Sequence, residues 1–322
     1  MKTVGGYLRR AGACLGVLAL AGCTLPSILT QAGGPYARPQ EPIVVNPIVT
    51  PSPSEASIKL STYYQRLQND LLARGLMRTD GGGPDTPFTD TQLARNFVQI
   101  ALFDEYVADG DRLRARETAS LLRRWDKPVR IDVEFGASVD PARQLTDRTV
   151  VQDYAERLGR ITGHPISVVE TDANFHVLFL GEDDRLAAEG QLRQLMPGIA
   201  NSSLRAMLEM PRDQLCIVVA FSNGSESSYS RAVAIIRNEH PDMLRLSCVH
   251  EELAQGLGLA NDSPRARPSI FNDDEEFGLL TTHDELLLKM LYDNRLRIGM
   301  DATQAAPIAG LIATELTGGG NS

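Results

Sequence analysis

Aromatic side chains are sparse in this chain of 322 residues: Phe, Tyr and Trp together make up 6%, and Trp occurs once. That scarcity does not prevent a packed core, because 43% of the residues are hydrophobic and a chain of this length can bury most of its apolar surface. Disorder of the whole is therefore excluded. Long apolar runs are missing too. Apart from a short one at the start, none approaches the roughly 20 residues of a spanning helix, which excludes a polytopic membrane protein. An excess of basic residues is also absent: 32 Lys and Arg stand against 41 Asp and Glu, a net charge of −9. Such a surface offers no general attraction to a phosphate backbone, so nucleic acid is excluded as a partner. Cysteine is limited to four residues, and each can be considered separately.

Residues 1–22 have the layout of a targeting segment. Lys2, Arg9 and Arg10 form a positive start, and Ala11 to Gly22 is an apolar stretch too short to cross a bilayer. The run Leu20, Ala21, Gly22, Cys23 resembles the bacterial lipoprotein signal, in which small residues admit the peptidase and the cysteine carries lipid. The alternative is a plain secretory signal with an incidental cysteine. The resemblance makes Cys23 the acylated first residue of the mature chain, with palmitate among its acyl groups. It also makes the membrane a partner through the lipid anchor. Thr24 beside it resembles the outer-membrane default of diderm bacteria, so the expected location is the outer membrane, facing the periplasm. Loss of Lys2, Arg9 and Arg10 with the signal takes the charge from −9 to −12. Cys14 leaves with it, and Cys216 and Cys248 remain in an oxidising compartment, where a bridge is expected. The alternative is two separately buried thiols.

Residues 23–56 are rich in Pro, Gly, Ser and Thr without periodicity and read as a tether. Leu60, Tyr64, Leu67 and Leu71 mark one helix. After GGGPDTP, a capping box of Thr89 and Gln92 opens a second through Phe97 and Ile100. These place a helical extension at 57–120. The main domain, 121–300, starts with the alternating strand KPVRIDVEF. A helix closed by Gly163 and Pro165 follows, then strands at 166–170 and 175–180 and a mixed helical stretch. LCIVVAF at 215–221 is an unbroken apolar run that predicts a strand buried on both faces. SRAVAIIR returns as a strand before a helix over 243–259. The fold class is α+β, a mixed sheet backed by helices. Residues 301–322 are expected to be a flexible tail.

The stretch CVHEELAQGLGLANDS, 248–263, carries whatever chemistry the sequence advertises. Glu251 and Gln255 stand at i and i+4 on one helical face, Glu252 is adjacent, Gly258 can end the helix, and Asn261 and Asp262 lie just beyond. Three oxygen-bearing groups can thus converge beside a carboxylate placed to act as a base. His250 reads as a half-exposed histidine, because its i+4 neighbour, Ala254, has no donor. NDDEE at 272–276 lacks the alternation and glycine of a calcium loop and reads as a solvated acidic turn. Ser225, Ser227 and Ser228 lack a nucleophile elbow and read as a polar loop.

This layout resembles the metzincin zinc endopeptidases, particularly the matrixins, whose HExxHxxGxxH pattern falls on Glu251, Glu252, Gln255, Gly258 and Asn261. The family's turn methionine falls on Phe271 of SIF, and LTTHDELLLKMLYD resembles its closing helix. The resemblance implies a zincin fold with Glu252 as the general base. It also puts Glu251, Gln255 and Asn261 in place of the three histidine ligands, and such amides and acids make a poor zinc site. No cofactor is assigned, and zinc is not expected there. EELAQGLGLANDS, SIFND, LYDNRLRIGM and the RWDKPVRI strand also resemble a family of bacterial lipoproteins whose domain has no assigned function. The expected role is non-catalytic: a binding module for an envelope protein or peptide. The alternative is a peptidase-like hydrolase using Glu252 with an oxygen-ligated metal.

Overall fold

Local signals set the first elements. In the computed structural model, which describes residues 51–318 other than Asp111, Ser225 and Asp273, α1 (Glu55–Ala73) starts where the Ser54 hydroxyl accepts from the Ser57 N–H. Its stripe buries Tyr64 and Leu71. The targeting segment, Cys23 and the tether up to residue 50 lie outside the described residues, and the rest forms part of one compact unit, Ile48–Ser322. α2 (Asp90–Ala101) opens with the capping box of Thr89 and Gln92 and buries Leu93, Phe97 and Ile100.

The next segment departs from the helical extension expected at 57–120. β1 (Phe103–Asp109) and β2 (Arg112–Ala119) form an antiparallel hairpin, with Asp109 opposite Arg112 across the turn at Gly110. The remaining elements are β3 (Val129–Phe135), α3 (Pro141–Thr162), β4 (Ile166–Val168), β5 (Phe175–Leu180), α4 (Glu182–Ala187), α5 (Glu189–Leu195) and α6 (Asn201–Glu209). They are followed by β6 (Cys216–Ser222), β7 (Tyr229–Arg237), α7 (Asp242–Gly256), α8 (Thr282–Leu291) and α9 (Ala302–Leu316).

β4-β3-β5-β7-β6 is the strand order of a mixed five-stranded sheet, parallel except where β6 runs antiparallel to β7. One face carries Val129, Ile131, Val133, Val177 and Ala234 into a core shared with Tyr154 of α3, Leu253 of α7 and Leu287 of α8. The other carries Leu178, Leu180, Val233 and Ile235 into a second core with Leu192 of α5 and Met207 of α6. Fully burying each such aliphatic side chain stabilises by roughly 1.5–3 kcal/mol before chain entropy is counted.

Two further expectations are corrected. The 215–221 run is not buried on both faces: β6 is an edge strand, half-buried from Val218 onward, whereas β5 is the strand buried along its whole length. Residues 302–316 are not a tail, because α9 buries Ala305, Ala309, Ile312 and Ala313 in the main core beside α2. The bridge between Cys216 and Cys248 is present and joins edge strand β6 to the middle of α7. Closing a loop with a separation of 32 residues is worth about 3–4 kcal/mol in chain entropy. On its other side, α7 is held to α3 by the buried ion pair of Arg245 with Asp147, at 2.5 and 2.9 Å.

Candidate acidic cleft

α7 follows β7 and packs beneath β6 and β7, burying Leu244, Cys248, Val249 and Leu253. At its C-terminus the indole N–H of Trp125 donates to the Gly256 carbonyl at 2.8 Å, and the Tyr292 hydroxyl donates to that of Leu257 at 3.1 Å. These bonds satisfy carbonyls that a helix end would leave bare. Gly256 lies against Phe175, where a Cβ would meet the ring at 2.5 Å. Gly258 takes φ +128° with the Arg123 carbonyl 2.3 Å from where a Cβ would stand, so only glycine fits the bend that leads the chain away from the helix.

The side of α7 that carries Glu251, Glu252 and Gln255 lines a cleft of about 760 Å³. Glu251, Glu252 and Gln255 project from α7, Cys216 to Ala220 of β6 form one side, and Ser202, Arg205 and Glu209 of α6 contribute another. The β1–β2 hairpin adds Asp104, Glu105, Tyr106 and Arg112. Asp262 and Glu275 complete a lining in which carboxylates outnumber guanidinium groups.

Of the candidate ligand positions, Glu251 and Gln255 come together in the cleft and Asn261 does not. Asn261 is buried at 2% exposure; its side chain donates to the Gln99 carbonyl at 2.9 Å and its backbone N–H to that of Ile100 at 3.1 Å. Its neighbour Asp262 faces the cleft instead, accepting from the Gln255 amide at 3.3 Å. Glu252 is 3% exposed, and its Oε2 has no hydrogen-bond partner. Burial is the main force pushing the Glu251 and Glu252 carboxyls well above the usual carboxylate range. The charge of Asp262 adds to it at both residues, and Glu252 itself adds to it at Glu251. Such a pair holds protons at pH values where an exposed glutamate has lost them. The cleft can exchange protons, and it favours cationic groups over anions.

His250 is not half-exposed. It is buried, stacked 4.0 Å from the Tyr154 ring, and its Nδ1 accepts from the Leu280 N–H at 3.1 Å. Burial lowers its pKa to about 3, so it is neutral and structural. Phe271 is fully buried in the main core, and its carbonyl accepts from the Ser263 N–H at 2.8 Å. The 272–276 turn is tied down rather than merely solvated: Glu276 pairs with Arg267 and Arg78, and Glu275 faces the cleft. In the 223–228 loop, Ser228 donates to Asp126 at 2.6 Å. Sequence reasoning missed the hairpin residues of the cleft, although Asp109–Gly110 between alternating residues is a hairpin signal.

No curated protein and no solved structure matches the chain. A family model described as "Protein of unknown function (DUF2927)" matches residues 90–310, from the start of α2 into α9. Because this match takes in the sheet, α7 and the whole cleft and covers more than half of the chain, the protein belongs to the DUF2927 family.

Proposed function

We propose that this protein is an envelope lipoprotein, anchored through Cys23, whose domain is a non-catalytic relative of the zincins and binds an extended, basic stretch of polypeptide. The observation that carries the reading is the meeting of two features in one cleft. β6 is an edge strand with β7 on one side and, among the described residues, no strand on the other. An edge of that kind offers unpaired backbone groups to an added strand. Beside it lie the carboxyls of Glu251 and Glu252, where a lysine or arginine side chain would restore the charge that burial disfavours.

The zincin element rests on the mixed sheet, its single antiparallel strand at the edge, and a helix bearing Glu251, Glu252 and Gln255 directly beneath that edge. The turn of Asn261 away from the cleft supports the loss of catalysis, since a third ligand is not supplied from that position. The Cys216–Cys248 bridge agrees with an oxidising, extracytoplasmic setting.

Fluorescence anisotropy with labelled peptides tests the reading. Peptides alternating basic and apolar residues should bind, acidic counterparts should not, and Glu251→Gln with Glu252→Gln should weaken binding by about tenfold. Equal binding of both peptide classes, or no effect of the double substitution, rejects it. A hydrolase is the second reading, favoured by the buried Glu252 Oε2, which is free of hydrogen bonds as an available base would be. Mass spectrometry of the same mixtures with added Ca²⁺, Mg²⁺ or Mn²⁺ decides it: cleavage abolished by Glu252→Gln establishes the hydrolase, and intact peptides remove it.

A further inference from the structure

A second group of chemistry-bearing side chains lies on the face of the sheet opposite α7. In the parallel register of β3 with β5, Asp132 stands directly opposite His176, and Glu134 follows two residues along β3 on the same face. Their alternates Ile131, Val133, Phe175 and Val177 turn into the main core, so these three point toward the side that carries α4, α5 and α6. That helical layer covers Leu178, Leu180 and Val233 on β5 and β7, and at β3 it leaves a cavity of about 230 Å³ bordered by Glu134, Asp184, Ala188 and Gln191.

One donor atom from each of Asp132, Glu134 and His176 lies within 4.8 Å of the other two. Adjacent strands spaced about 4.8 Å apart make this possible without distorting the backbone. His176 is 8% exposed, and its buried Nδ1 meets no protein atom in good hydrogen-bond geometry, its nearest partner being Glu134 Oε1 at an ion-pair distance of 3.3 Å. Such an atom carries a desolvation cost that a ligand would remove. The other oxygen of Glu134 accepts from the Gln191 amide at 2.7 Å, which fixes the carboxylate as outer partners fix metal ligands.

We propose that Asp132, Glu134 and His176 form a divalent-metal site of the zinc or manganese class, separate from the acidic cleft. Two carboxylates and one imidazole suit those ions, and the nitrogen disfavours calcium and magnesium, which take oxygen ligands. Ligand distances of about 2.0–2.2 Å require donors about 3–4 Å apart, a closing within reach of small side-chain rotations. Glu134 borders the cavity, from which water could reach the remaining positions. Arg148, whose guanidinium lies 5.0 Å from the centre of the Phe135 ring, is the nearby cation the metal has to outcompete for Asp132.

The test uses the untagged full-length protein, stripped with a chelator and titrated separately with Zn²⁺, Mn²⁺, Ca²⁺ and Mg²⁺ against a chromophoric competitor. One equivalent of Zn²⁺ or Mn²⁺ should bind, with at least tenfold preference over Ca²⁺ and Mg²⁺. Glu134→Gln and His176→Gln should each weaken it at least tenfold, and Gln191→Ala should weaken it by about tenfold. Asp132→Asn, at a half-buried position on the strand, provides the same readout if the buried histidine variant does not fold. Glu251→Gln with Glu252→Gln should leave the affinity unchanged, which separates this site from the cleft. No stoichiometric binding, or binding that survives both Asp132→Asn and Glu134→Gln, overturns the proposal. So does binding lost only with the cleft residues.

Discussion

Glu252 is held where folding works against its charge. Its carboxyl is raised by burial and by Asp262, so the folded protein binds a proton there more tightly than the unfolded chain does. The stability this contributes is complete below the unfolded value of about 4.3 and is lost as pH rises through the higher folded value. His250 acts in the opposite sense. Its folded pKa of about 3 lies below the unfolded value of about 6.5, so its contribution is present above that value and falls away as pH drops toward 3. Glu252→Gln should therefore raise the melting temperature near pH 8 and make the alkaline limb of the stability profile shallower, with Glu251 still contributing to it, and leave the acid limb in place. Relief of an unsatisfied buried acceptor is worth on the order of 1 kcal/mol. Thermal melts across pH 4 to 9 check this, and an unchanged alkaline limb would mean that Glu252 is ionised and satisfied by other means.

At the scale of elements, α9 is the piece whose worth is easiest to measure. It sets Ala305, Ala309, Ile312 and Ala313 into the core beside the Leu93, Phe97 and Ile100 stripe of α2. Ending the chain after Asp301 should uncover that stripe and lower stability by several kcal/mol, and Ile312→Ala alone should cost about 2–5 kcal/mol in denaturant titration. A truncated protein with unchanged stability would restore the expected tail. The helix was hidden in the sequence because Pro307 and a run of small residues blur its periodicity. α2 was legible because its capping box is a local signal, Thr89 and Gln92 standing three residues apart, and the central β5 because five of its six residues are apolar. β6 was misjudged because an unbroken apolar run looks the same in a central strand and in an edge strand that borders a cleft. Glu251, Glu252 and Gln255 could be read from helical spacing. The exchange of Asn261 for Asp262 could not, since it is set by distant backbone acceptors at Gln99 and Ile100.

At the scale of the whole molecule, the proposed lipid anchor at Cys23 is what removal of that thiol tests. Among the described residues no helix is long and apolar enough to cross a bilayer. The chain carries a net charge of −9, and −12 if the proposed signal is removed with Lys2, Arg9 and Arg10; either charge is repelled by anionic headgroups rather than drawn to them. Cys23→Ser should therefore move the protein from the membrane fraction to the soluble one and abolish labelling by a palmitate analogue. The parent should stay with membranes through a high-salt wash, because acyl burial is not screened by ions. Retention of the serine variant in membranes at low salt, with release at high salt, would instead identify a charged partner on the envelope surface as the anchor. Peptide binding by the released variant should match that of the parent, since the cleft lies entirely within the folded domain.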